Sequence, residues 1–208
     1  MSTAIGLFGG SFNPIHVGHL ISARSVAEQA GLDRIVLVPA AVPPHKRGAV
    51  LAPAADRLAM AQRAVAGDPL FEVSDIELRR SGPSFTYDTV TEFRARLPAN
   101  ARLCWLIGAD SLPELATWSR VQRLVSEVEI LTATRPGWDP AGVDLAPLRE
   151  AVGEAAVAQL LRGCVSTPAI EISASDIRSR VAAGRTIRYL VPSAVEEYIE
   201  SRQLYRTP

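Results

Sequence analysis

The stretch Gly9-Gly10-Ser11-Phe12-Asn13-Pro14-Ile15-His16-Val17-Gly18-His19 decides how this chain is read. It follows an apolar run over residues 4–8 and leads into a helical pattern over 17–30 that Gly31 closes, giving strand, turn and helix start in succession. Glycines between a buried strand and a helix expose backbone N–H groups beside a positive helix end, which suits a phosphate. The motif is neither G-x-G-x-x-G nor a Walker A loop, because Lys46 is the only lysine and does not follow a glycine. His16 and His19, three apart, project from one face of the first helical turn, and Gly18 between them removes a side chain where a nucleotide must come close. Two imidazoles there can donate hydrogen bonds to a phosphate whose charge shifts during transfer, with no protein nucleophile. Two other readings stand beside this one. A metal site would have only two ligands from His-x-x-His and no nearby Cys or carboxylate, and the histidines could also be structural.

Outward from this motif, short apolar runs alternate with helical stretches. Strands are predicted over 4–8, 34–38, 102–107 and 128–133, with a strand or hairpin over 71–78. Helices are predicted over 17–30, 54–66, 86–96 and 111–126, a long loop with four prolines over 39–53, and a Gly- and Pro-rich excursion over 136–148. Strands apolar throughout, rather than alternating, belong to a sheet covered on both faces. The expectation is a single α/β domain over 1–208, an open, mainly parallel sheet with helices on both faces. Ligands then bind beyond the carboxyl ends of the strands, where strand order reverses.

Composition narrows the class. The chain has 208 residues, and 22 Lys plus Arg balance 22 Asp plus Glu. That balance conceals a skew, since 21 of the basic residues are Arg, and His16, His19 and His45 all fall in the first quarter. Zero net charge without a basic stripe argues against nucleic acid or an anionic membrane as partner. Cys104 and Cys164 cannot build a disulfide framework or a four-ligand zinc site, and both sit in apolar, strand-like surroundings, so a reduced, cytoplasmic setting is expected. The uncharged first 23 residues are interrupted by glycines, Asn13, Pro14 and histidines and have no basic lead, unlike a signal or membrane segment.

A second anion site is expected at Ser173-Ala174-Ser175-Asp176, where Ser173 has capping-box spacing to Asp176 and follows a strand-like run over 169–172. Ser175 and Arg178, three apart, share one side of that helix; a solvated arginine is the alternative. Pro43-Pro44-His45-Lys46 places the lysine on the long loop, where a cation could clamp substrate phosphates, or simply be solvated. The first N–H groups of the helix opening at Ser84-Phe85-Thr86-Tyr87 would attract a carboxylate. Asp110 follows a strand end beside Gly108, suiting either a ribose hydroxyl or a helix N-cap. By spacing alone, Trp105 and Trp118 are core.

The motif Gly-Gly-Ser-Phe-x-Pro-Ile-His-x-Gly-His resembles the signature of the nucleotidylyltransferase superfamily, specifically the bacterial nicotinate-nucleotide adenylyltransferases. The resemblance extends through Pro43-Pro44-His45-Lys46, Gly82 to Thr89, Ile107-Gly108-Ala109-Asp110-Ser111, Trp118, Arg135-Pro136-Gly137, Ile172 to Arg178 and Tyr189-Leu190-Val191-Pro192. It departs at Asn13, where Asp is more usual, and at Ala174-Ser175, where Ser-Thr is commoner. The resemblance implies a Rossmann-like fold, transfer of AMP from ATP to nicotinate mononucleotide, and Mg²⁺ bound with ATP without dedicated protein ligands. It implies His16, His19, Arg178 and Lys46 as catalytic residues. Gly9, Gly10, Ser11, Phe12, Gly18, Gly108, Asp110, Ser175 and Ile177 would join the histidines and Arg178 around ATP. Asn13, Lys46, Ser84, Thr86, Tyr87 and Trp118 would hold the pyridine nucleotide, with Trp118 stacked on its ring. Whether the chain forms a homo-oligomer is left open, as are contacts of Arg135 and Arg188 with nucleotide.

Overall fold

The computed structural model describes residues 3–43 and 51–206. A six-stranded sheet in the order β3-β2-β1-β4-β5-β6 organises them, with every pairing parallel. The strands are β1 (Ala4–Gly10), β2 (Arg34–Pro39), β3 (Phe71–Val73), β4 (Arg102–Gly108), β5 (Glu129–Thr134) and β6 (Cys164–Ser166). The order reverses between β1 and β4, the switch point at which such sheets bind ligands.

Both sheet faces are covered, as the apolar strands predict. Ile5 and Leu7 of β1 belong to one core with Leu103 and Trp105, while Ala4 joins Cys104 and Leu106 in the other, because successive side chains point to opposite faces. The second face is packed by α1 (Val17–Ala30), α2 (Ala54–Ala64), α8 (Ala174–Ala182) and α9 (Ser193–Ser201), through Val26, Met60, Ile177 and Val195. The first is packed by α3 (Thr86–Arg94), α4 (Ser111–Glu114), α5 (Val121–Glu127), α6 (Ala146–Val152) and α7 (Glu154–Arg162), through Val90, Leu112, Leu124, Leu148 and Val157. Gly31 ends α1 at φ 63°, the left-handed conformation that favours glycine. Among the described residues no helix is long and apolar enough to cross a membrane.

Five expectations change. The glycine turn is a strand end: Gly9 and Gly10 pair with Val38 and Pro39, and the chain turns only at Phe12 (φ 44°) and the cis Asn13–Pro14 bond. The strand or hairpin over 71–78 stops at Val73; Ser74 N–H caps the pairing on Leu37 O, and Leu78 N–H then folds back to Asp75 O. The helix over 111–126 breaks into α4, a 3₁₀ turn Leu115–Thr117 and α5, around Arg120 at φ 55°. The run over 169–172 is irregular; the last strand is β6, and pairing ends just before Pro168, which has no N–H to donate. Part of the Gly- and Pro-rich excursion over 136–148 is ordered, as a 3₁₀ turn Pro140–Gly142 and the start of α6.

Candidate active site at the β1–β4 switch point

Two cavities open at the carboxyl ends of β1 and β4, and Phe8, Leu106, Ile107 and Gly108 line both. The larger, about 830 Å³, is bounded by the histidine-bearing start of α1 on one side and by Arg135 to Trp138 and Thr167 to Ile172 on the other. The smaller, about 440 Å³, lies between the Gly9-Gly10-Ser11 strand end, the first turn of α3 and the Trp118 corner.

The histidine pair forms because α1 starts at His16 and both rings fall on its first turn. The rings stack with centroids 3.6 Å apart and planes 27° apart. His16 backbone N–H donates to His19 Nδ1 at 3.2 Å, so in neutral His19 the ring proton belongs on Nε2 by this hydrogen-bond assignment. Burial of the His16 ring pulls its pKa from 6.5 down to about 4, so it is a neutral imidazole near pH 7. Gly18 has a local reason as well as a ligand-side one. A Cβ there would stand 3.1 Å from His16 Nδ1 and 3.3 Å from Ile170 Cγ2, so its absence lets the ring lie across the helix start. Gly18 also lines the larger cavity. Phe12, 2% exposed, braces the pair edge-on, its centroid 5.3 Å from that of His19. Its side chain is packing rather than cavity wall.

Gly9 is fixed by close approach. A Cβ at Gly9 would fall 2.4 Å from the Trp105 ring, which is buried in the core and also floors the smaller cavity. Asp110 lines the larger cavity and does not cap α4 with its side chain; Oδ1 turns into the space that a Cβ of Gly108 would fill, 2.5 Å away. Ser173 does cap α8, accepting from Asp176 N–H at 3.1 Å. Arg178 reaches from α8 to the motif and donates to the Asn13 carbonyl at 2.8 Å. Neither cavity lining includes Arg178 or the exposed Ser175. Ile177 is fully buried in the core, and its N–H is used within α8 by Ser173 O.

Ser84, Thr86 and Trp118 line the smaller cavity, Trp118 at the helix break. Phe85 gives α3 no side-chain cap, so its first-turn N–H groups have no intrahelical acceptor. Ser84 Oγ is already engaged: it accepts from Ala41 N–H at 3.0 Å and Val42 N–H at 3.3 Å and hydrogen-bonds buried Glu77. Tyr87 stacks under Arg120, 5.1 Å from the guanidinium carbon, outside the cavity wall. Asn13 is 2% exposed and lines neither cavity; its Oδ1 accepts from Ala52 N–H at 3.0 Å and Tyr205 Oη–H at 2.9 Å. Lys46 lies outside the described residues. Arg135 lines the larger cavity, whereas Arg188 stacks on Tyr189.

Three residues at the site escaped the sequence reading. Glu77, 4% exposed, lines the smaller cavity, accepts from Thr89 Oγ1–H at 2.6 Å, and has its carboxyl pushed up by burial. Tyr205 reaches Asn13 from the far end of the chain, and burial pushes its phenol above the ordinary value. Arg57 is 1% exposed. Only Arg57 left a signal, an arginine three and four residues before Met60 and Ala61 on the apolar stripe of α2.

Residues 7–180 match the family described as cytidylyltransferase-like. A protein of Thermomicrobium roseum named a "probable nicotinate-nucleotide adenylyltransferase" is 46% identical over 203 residues, 98% of this chain and 92% of its own. One of the same name from Pseudomonas aeruginosa is 42% identical over the whole of both chains. In fold, the Plasmodium falciparum nicotinic acid mononucleotide adenylyltransferase, solved with NaAD, superposes with a TM-score of 0.73 at 18% identity, covering 99% of this chain and 98% of that one. The chain belongs to the nicotinate-nucleotide adenylyltransferase family of cytidylyltransferase-like proteins.

Proposed function

We propose that this chain transfers AMP from ATP to nicotinate mononucleotide, releasing pyrophosphate and forming deamido-NAD, with ATP in the larger cavity and the acceptor in the smaller. The observation that carries this reading is the shared wall of Phe8 and Leu106 to Gly108, which brings two cavities together beside one histidine pair. A phosphate oxygen of the mononucleotide attacks the α-phosphorus, the new P–O bond forms, and the bond to the β-bridging oxygen breaks, leaving its electrons on pyrophosphate. The attacking oxygen is already anionic, so no general base is needed. His16 and His19 donate hydrogen bonds to the α-phosphate and bridging oxygen from rings held by stacking and by the His16 N–H contact. Arg178 lies outside both cavity linings, tied to the Asn13 carbonyl beside the capped start of α8, and has to leave that carbonyl to balance charge on the departing pyrophosphate.

In the smaller cavity, the uncapped first turn of α3 at Thr86 receives the nicotinate carboxylate, and Trp118 stacks on the pyridine ring. Asp110 is the only carboxylate lining the larger cavity among the described residues, a donor set that fits Mg²⁺ carried on nucleotide phosphates and water rather than in a protein cage. Bound so, Mg²⁺ supplies charge neutralisation on the phosphates. The test is pyrophosphate release with nicotinate and nicotinamide mononucleotides in parallel. Faster turnover of the nicotinate form is expected; equal rates would overturn the carboxylate site at α3.

A further inference from the structure

Arg57 points into the protein from α2, 1% exposed, and joins three separated segments. Its Nη1 donates to Ser11 O at 2.8 Å and to Ala40 O at 2.7 Å, its Nη2 to Ala41 O at 3.2 Å, and its Nε to Ala52 O at 3.0 Å. Ser11 and Ala40 both line the smaller cavity, so the guanidinium stands directly behind that wall. Every one of these acceptors is a backbone carbonyl, and among the described residues no carboxylate forms an ion pair with Arg57. Its neighbour Asp56 is committed elsewhere, accepting from Tyr198 Oη–H at 2.7 Å and Arg202 Nε–H at 3.3 Å. A buried guanidinium keeps its proton, and charge that no carboxylate neutralises is felt strongly through low-dielectric surroundings.

An arginine is a costly way to hold four carbonyls if holding them is all that is required, because burying a charge without a counter-ion is unfavourable. The cost has a use if an anion binds on the other side of the wall. We propose that Arg57 is a positioning residue for phosphoryl transfer: it fixes the Ser11 and Ala40 walls of the smaller cavity through its fork and lays a fixed positive charge behind them, towards the phosphate of the incoming nucleotide. This rests on the placement of the acceptor proposed above and adds a residue that touches no substrate.

The two parts separate by substitution. Arg57→Lys keeps the charge but cannot span three segments, so kcat falls about tenfold or more while the affinity for nicotinate mononucleotide, by calorimetry without ATP, changes little. Arg57→Met loses both, so kcat falls further and the affinities for nicotinate mononucleotide and for inorganic phosphate, each measured alone, also weaken about tenfold. A purely structural arginine would lower the melting temperature of both variants while the folded fraction kept its kcat and affinities. Values within twofold of the parent in folded variants therefore overturn the proposal. Should neither variant fold, the Arg57 Nε–H resonance of the parent decides: it shifts on addition of inorganic phosphate, and an unmoved resonance overturns the proposal. If the parent binds inorganic phosphate but does not turn over nicotinate mononucleotide, the acceptor assignment fails, while the phosphate affinity of Arg57→Met still decides the role of Arg57.

Discussion

The two cavities share a wall but are built on different principles. The imidazoles of the larger come from one local motif, since His16, Gly18 and His19 are all set by the first turn of α1, while Asp110 and Arg135 join them from beyond β4 and β5 and residues 167–172 close the far side. The smaller has no such motif. Its wall is assembled from the end of β1, the exit of β2, the start of α3 and the Trp118 corner, locked from behind by Arg57 and by the Glu77–Ser84 pair. One side therefore carries its chemistry in side chains and the other largely in backbone held by buried side chains. Substitutions in the first should act on turnover, and those in the second on binding and on wall geometry.

The sharpest way to break this contrast is His19→Ala, which should lower kcat by about 10² to 10³ with little change in melting temperature, as loss of a transition-state donor does. A folded variant with near-parental turnover would remove the catalytic distinction between the cavities.

His16 offers a stability readout on the same side. Between pH 6.5 and about 4 the unfolded chain binds a proton that the buried imidazole refuses, so its contribution is complete above pH 6.5 and is lost as pH falls towards 4. That loss amounts to about 3 kcal/mol at most. Urea midpoints across this range should drop more steeply for the parent than for His16→Asn; matching slopes would show the ring is not held neutral.

The floor of the smaller cavity is probed by Gly9→Ala. Its methyl group must displace the buried Trp105 ring, costing about 1–3 kcal/mol in chemical denaturation, and a tolerated substitution would mean the floor yields easily. On the acceptor side, Trp118→Ala should raise KM for nicotinate mononucleotide about tenfold, with kcat within a few-fold and Trp118→Phe recovering part of the loss. A change confined to kcat would move Trp118 out of the binding role.

The sequence reading succeeds where a pattern is local. The order of strands and helices from β1 to β5, the start of α1 at His16, its stop at Gly31 and the Ser173 cap all follow from period and short-range hydrogen bonding. It fails where a distant segment competes. Gly9 and Gly10 look like a turn, yet the neighbouring β2 extends the strand through them. The run over 71–78 has strand composition, but only three residues find a partner in β2, and the rest turn inward to bring Glu77 under the cavity. Asn13 lies inside the signature and reads as a ligand contact, yet Ala52 and Tyr205 close over it. Ile177, between two polar candidates, faces the core because α8 packs that stripe against the sheet.

What the chain determines by itself is an α/β alternation and a helix start with two imidazoles on one turn, because both depend on residues within a few positions of each other. Tertiary structure alone decides that β1 lies beside β4, so that one motif serves two cavities, and that Arg57 and Tyr205 stand behind the walls. Those contacts join residues 46 and 192 positions apart, and no local period records them.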